Sequence, residues 1–194
     1  MYPLWLIPVL PLIGFAVNGL LSLGSAGSKR GPSRGFVAAL AVAMPFLAFL
    51  VTIGATAAIW DLPSKLPPHA YCQTYWEWLP IGKGLGFGLQ FDRLTALMLL
   101  FITGIGTLIH LYSVGYMRED RGFARFMAYL NLFMASMIIL VLGDSLPVTF
   151  LGWEGVGLCS YLLIGFWHQD HANNDAARKA FVINRIGDLG FLLG

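Results

Sequence analysis

Glu154 is the one formal charge in the stretch 146–167, LPVTFLGWEGVGLCSYLLIGFW. That run is long enough to cross a bilayer, which takes about 20 apolar residues. A lone charge at mid-helix costs about 2.5 kcal/mol or more. The carboxylate must therefore face a protein interior or a wet cavity, carry a proton, or meet a cation. Two further charges fall at membrane depth in KAFVINRIGDLGFLLG, residues 179–194. There Arg185 and Asp188 stand three apart and share one helical face. If consecutive helices are neighbours, the three groups form one cluster in a low-dielectric interior. In such a cluster the charge state of each group depends on the others. The chemistry this predicts is proton handling. A plainer reading makes Glu154 a polar glue between two helices, but Asn, Gln or Ser would do that more cheaply. For Arg185 and Asp188 a static salt bridge and a relay both stay open.

Other groups carry weaker signals. His110 lies near the end of an apolar run, where it could pass protons to the cytoplasm or stand at the interface with no such role. His168 and His171, with Asp170 and Asp175, have a spacing that could hold a metal. They lack cysteines and a fourth ligand, and they read as polar loop residues, so no metal is expected. Asp144, in the turn GDS, is expected to cap a helix.

These residues need elements to hold them, and the composition says which kind. The chain of 194 residues is 57% hydrophobic and 11% charged, whereas soluble domains have roughly 25% charged residues. A soluble fold is excluded on that balance. A net charge of +2 gives no basis for nucleic-acid binding. Cys72 and Cys159 fall in different environments, a loop and a helix, so no disulfide framework is expected.

The expected fold is an all-α polytopic membrane protein of six transmembrane helices, the last one incomplete, with a short β-hairpin in an outward loop. The spans are 2–23, 36–60, 94–116, 126–142, 146–167 and the beginning at 180–194. No basic residue precedes the first span, which argues for a retained helix rather than a cleaved leader. The segment 168–179 reads as a polar connection. The one long connection, 61–92, has the prolines of an extended segment, then TYWEWLPI and FGLQFD around GKGLG, a hairpin pattern anchored by Trp76 and Trp78. Glycines at 152, 155 and 157 let neighbours approach the Glu154 helix closely. Lys29, Arg30, Arg34, Arg118, Arg121, Arg125, Arg178 and Lys179 lie on one set of connections. Only Lys65, Lys83 and Arg93 lie on the other. By the positive-inside rule the N-terminus and the hairpin face outward.

The stretch GDSLPVTFLGWEGVGLCSYLLIGFW followed by KAFVINRIGD resembles the subunit L family of bacterial NADH:quinone oxidoreductase, complex I, whose mitochondrial counterpart is chain 5. HLYSVGYM and RFMAYLNLFMASMIILVLGD match the third and fourth helices of that family. The resemblance implies an antiporter-like, proton-moving subunit with no redox centre and no cofactor of its own, coupled to quinone reduction elsewhere in the complex. It places Glu154 at the family's essential glutamate, and Arg185 and Asp188 at its helix-six charges. It implies a multi-pass protein of the bacterial inner membrane. Its partners would be the lipid bilayer and other membrane subunits, above all the neighbouring antiporter-like one. Residues 1–125 would hold the first three helices, and 126–194 the start of the translocating unit. The family has many more helices, including a lysine that pairs with the glutamate, so the chain is expected to be an N-terminal piece. Subunits of multisubunit cation/proton antiporters without redox activity share the GWE-type helix and supply the alternative function. A third reading is a membrane scaffold.

Overall fold

The computed structural model describes residues 3–25, 32–60, 71–79 and 85–194. Among the described residues, six helices and one hairpin follow in chain order. They are α1 (Leu6–Ser25), α2 (Arg34–Trp60), β1 (Tyr71–Leu79), β2 (Leu85–Phe91), α3 (Arg93–Tyr116), α4 (Phe123–Leu142), α5 (Leu146–Ile164) and α6 (His171–Leu193). Helices α1 to α5 are each long and apolar enough to cross a membrane. Their outer faces carry bare Leu20, Leu108 and Tyr112, which only lipid or another apolar surface would cover. The chain is a multi-pass membrane protein.

Helix α4 is the hub, packing against α1, α2, α3, α5 and β2. Asn131 on α4 is fully buried; its Nδ2 donates to Met127 O at 2.9 Å and to Ala41 O of α2 at 3.4 Å. Gly14 of α1 lies against that side chain, and a Cβ there would collide with it. Apolar cores form at both ends of the bundle. One gathers Leu4, Ile7, Leu89, Phe91, Leu99 and Ile138; the other gathers Val37, Met117, Phe123, Met127 and Phe166.

The expected hairpin exists, with Tyr71 opposite Phe91 and Leu79 opposite Leu85. Its first strand begins three residues earlier than the pattern suggests, because tertiary bonds hold that end. Gln73 Oε1 accepts from Leu4 N at 3.1 Å, and Tyr75 OH accepts from Trp5 N at 3.1 Å. Both groups tie β1 to the N-terminal end of α1. Trp76 stacks on Phe87 with centroids 4.5 Å apart. Residues 82–84 of the glycine-rich turn, the proline-rich segment, the side chain of Trp78 and Lys29, Arg30, Lys65 and Lys83 lie outside the described residues.

Two expectations need correction. Asp144 does not cap α5; Ser145 takes that position. Asp144 instead sits against β2, where its N–H donates to Gly88 O at 3.3 Å and Leu89 bridges to Gly143. A strand far back in sequence decides its place. Residues 168–179 are also not simply a connection, since α6 begins at His171 and runs without a break to Leu193. Asp170 caps it, accepting from Ala172 N at 2.9 Å. The polar first half keeps α6 outside the group of helices apolar enough to span.

The charged connections fall where the caps need them. Asp92 opens α3, accepting from Thr95 N at 2.7 Å. Partial burial pushes its carboxyl upward, but the Thr95 and Gln90 donors outweigh it and hold it below the usual range. Asp120 is held low by the Trp167 indole N–H first, then by Gly122 N–H, Arg125 and Arg34. A depressed carboxylate adds stability above its unfolded pKa, about 3.9, and loses it as pH falls through the lower folded value. Arg34 donates to Arg118 O, so the start of α2 and the α3–α4 turn share one side of the bundle.

Candidate functional site

The three charges, Glu154, Arg185 and Asp188, meet between α5 and α6. Arg185 is the bridge. Its Nη1 pairs with Glu154 Oε2, and its Nε stands 3.0 Å from Asp188 Oδ2. The Glu154 contact joins two helices; the Asp188 contact stays within α6, at the i, i+3 spacing read from the sequence. Arg185 Cζ also lies 4.9 Å from the Phe181 ring centroid, so an aromatic face supports the guanidinium. The Asp188 side chain is the deepest of the three at 5% exposed, against 26% for Glu154 and 36% for Arg185.

Trp153 is the member that sequence reasoning missed. Its indole Nε1–H donates to Asp188 Oδ1 at 2.7 Å. Asp188 thus has an indole on one oxygen and a guanidinium beside the other. The ring of Trp153 stacks near Phe191 at 6.2 Å, and Phe150 stacks on the same Phe191 at 5.6 Å. Within an apolar run, a tryptophan next to the glutamate reads as packing. The signal that could have found it is its place one residue before Glu154, opposite a carboxylate that needs a donor.

Glycines shape the site. A Cβ at Gly152 would overlap the Leu140 backbone, and one at Gly155 would press on Ser136, so this face of α5 lies directly on α4. Gly157 faces the other way, where a Cβ would lie 3.5 Å from Arg185 Nη2. Two carboxylates and one guanidinium leave one negative charge over. Arg185 thus has two anionic partners, one on each of two helices.

His110 stands apart from this network. It is buried on α3 with its Nδ1 2.7 Å from Gly106 O, and no hydrogen bond or ion pair joins it to the cluster among the described residues. His168 and His171 do not gather into a group of metal ligands among the described residues. Asp170 is occupied as a helix cap, and Asp175 pairs loosely with Arg178 at 4.0 Å.

Comparisons with known proteins identify the family. Residues 78–127 match the family model described as NADH-Ubiquinone oxidoreductase (complex I), chain 5 N-terminus. Residues 143–194, which contain the whole cluster, match the model described as NADH:quinone oxidoreductase/Mrp antiporter, TM. The chain is 46% identical to NADH-quinone oxidoreductase subunit L of Mycobacterium tuberculosis over 191 residues, 98% of this chain. It is 46% identical to the Escherichia coli subunit L over 184 residues, 93% of this chain. It spans only 29% and 28% of those two proteins. The fold resembles a chain of the membrane-bound sulfane sulfur reductase, an archaeal respiratory membrane complex. The TM-score is 0.73 at 16% identity, covering 100% of this chain and 36% of that one. The chain belongs to the family of antiporter-like membrane subunits that includes complex I chain 5 and NADH:quinone oxidoreductase subunit L.

Proposed function

We propose that this chain is part of a proton-translocating membrane subunit of an NADH:quinone oxidoreductase. It couples quinone reduction elsewhere in the complex to proton movement and holds no redox centre of its own. The observation that carries this reading is Arg185 bridging Glu154 on one helix and Asp188 on the next. In the proposed cycle Glu154 accepts a proton and releases its share of Arg185, which turns fully toward Asp188. Loss of the proton restores the bridge. Trp153 keeps Asp188 from taking Arg185 outright, so the two arrangements stay close in energy. The names and family models of the relatives support the same reading. Partners are then the other membrane subunits, with the neighbouring antiporter-like subunit foremost.

Asp188→Asn tests the exchange. It removes the second anion but keeps a group that can accept from the Trp153 indole. Proton pumping by the assembled complex should fall by at least roughly tenfold, below the 10²–10⁴-fold of a group that itself transfers the proton, with subunit content unchanged. Trp153→Phe keeps an aromatic ring against Phe191 and loses the N–H together with part of the indole's bulk. Its expected effect is smaller, about two- to fivefold, the worth of one hydrogen bond. Unchanged pumping in both variants would remove Asp188 from the mechanism.

The description of the second family model also names Mrp antiporters, which supports a second reading as a cation/proton exchanger subunit without redox chemistry. Sodium-dependent proton movement in the absence of electron transfer would favour it.

The proposed orientation puts the N-terminus and the hairpin outside the bacterial inner membrane. Cys72 on β1 is exposed and Cys159 on α5 is buried, so the native thiols report on it. A membrane-impermeant maleimide added to intact cells should label Cys72 and spare Cys159. Partial burial, then Asp144 and Asp92, push the Cys72 thiol above its ordinary range. Because the thiolate is the nucleophile, labelling should be slow near neutrality and keep accelerating as pH rises past about 8.5, the ordinary thiol value. Labelling only after the membrane is opened would reverse the orientation.

A further inference from the structure

We infer that the open pocket where α4 begins, α5 ends and α6 begins holds the phosphodiester of an acidic glycerophospholipid, with Arg178 and Arg125 as its cationic contacts. The pocket has a volume of about 330 Å³, room for a headgroup. Arg125 and Tyr129 of α4, Tyr161 and Leu162 of α5 and Arg178 of α6 all line it. Two guanidinium groups from different helices therefore meet in one concavity, and no carboxylate lines it among the described residues.

The two arginines are placed differently. Arg125 is half-buried and held: its Nη2 donates to Phe166 O at 3.3 Å, and its Cζ lies 4.7 Å from the Phe166 ring centroid. A fixed guanidinium loses little freedom when it takes up an anion. Arg178 is open, with its side chain 71% exposed, and Asp175 stands 4.0 Å away, 77% exposed itself. So loose a surface pair contributes little, and the guanidinium can leave it for a phosphate. Asp120 also acts on Arg125, but its oxygens accept from Trp167 Nε1 at 3.0 Å and Gly122 N at 2.6 Å, and it does not line the pocket.

Position makes the ligand a lipid. Arg125 stands two residues inside α4, and Tyr161 three residues before the end of α5. At 1.5 Å per residue both lie within about 5 Å of a helix end, at the headgroup level of a bilayer. Tyr129 is one turn deeper than Arg125, and tyrosines favour that boundary. Leu158, Tyr161 and Ile164 are exposed on α5 and form an apolar strip that leads inward from the pocket, a track for an acyl chain. Basic pockets between membrane helices suit anionic headgroups for this reason. The ammonium of a zwitterionic headgroup would face two guanidinium groups with no carboxylate in the lining to receive it, which selects a lipid of net negative charge.

The test uses the chain in its assembled complex, in phosphatidylcholine nanodiscs, with a phosphatidylglycerol that carries a photoactivatable group near the head of one acyl chain. Crosslinks should map to α5 around Leu158–Leu162 and to α6 around Asn174–Arg178. Unlabelled phosphatidylglycerol should compete at least roughly tenfold better than added phosphatidylcholine, the worth of one charged hydrogen bond. Arg178→Gln should lower labelling by a similar factor, and Arg178→Lys, which keeps the charge, should retain most of it. Arg121→Gln removes an exposed arginine of the α3–α4 turn that does not line the pocket, and labelling should not change. Labelling indifferent to Arg178→Gln and to headgroup charge would mean ordinary surrounding lipid and would overturn the site. Displacement by inorganic phosphate, beyond that by chloride of matched ionic strength, would mean a site for a free anion and would overturn the lipid assignment. Absence of crosslinks at the pocket in the assembled wild-type complex would mean that protein covers it, which would overturn the site equally.

Discussion

Gly152→Ala should disrupt the bundle, although it adds a single methyl group. A Cβ at that position falls on the Leu140 backbone, which cannot rotate away as a side chain would. Overpacking of a well-filled interior costs about 1–3 kcal/mol, and a clash with backbone belongs at or beyond the upper end. Helices in a membrane associate through such close approaches of small residues, so pushing α4 from α5 removes their main contact. Gly19→Ala is the matching control, because nothing lies within 4 Å of a Cβ there. The same chemical change at that helical site should be neutral or slightly stabilising, since alanine is the better helix former by about 1 kcal/mol. Thermal unfolding in detergent and assembly on native gels separate the two. Equal melting of both variants would show that α4 and α5 do not pack as described.

Glu154→Gln is the second large effect, and it acts on function rather than on assembly. Glutamine keeps the size and most of the hydrogen-bonding capacity of glutamate but cannot ionise. The α5–α6 contact should survive, because it also rests on the Phe150 and Trp153 stacks with Phe191 and on the indole bond to Asp188. Arg185 is left with one anion permanently and has nothing to switch between. Glu154→Asp still titrates, but its carboxylate is one methylene short of Arg185, so part of the activity should remain.

Much of this site was legible because charges stand out in apolar runs. Glu154, Arg185 and Asp188 were each visible as expensive residues, and the i, i+3 spacing of the last two predicted their contact. The glycines around Glu154 announced close approach, and the structure supplies the neighbours: Leu140 and Ser136 on α4, Arg185 on α6. Trp153 was hidden because an indole is apolar enough to pass as packing. Its N–H becomes informative only when a carboxylate is known to lie opposite. Helix α6 started earlier than expected because polarity alone cannot separate a solvated helix from a loop. Asp170, a preferred N-cap residue type immediately before the run, was the local sign. Asp144 and the early start of β1 were beyond local reading, since partners far away in sequence decide both.

In the proposed cycle Glu154 exchanges protons while Arg185 moves between its two anionic partners. The direct measurement is proton uptake per electron transferred by the complex reconstituted in vesicles, with subunit content checked in parallel. Full assembly is expected for Glu154→Gln, with this subunit's contribution to the proton-to-electron ratio reduced by roughly a hundredfold or more, and Glu154→Asp in between. An unchanged ratio in a fully assembled Glu154→Gln complex would contradict it.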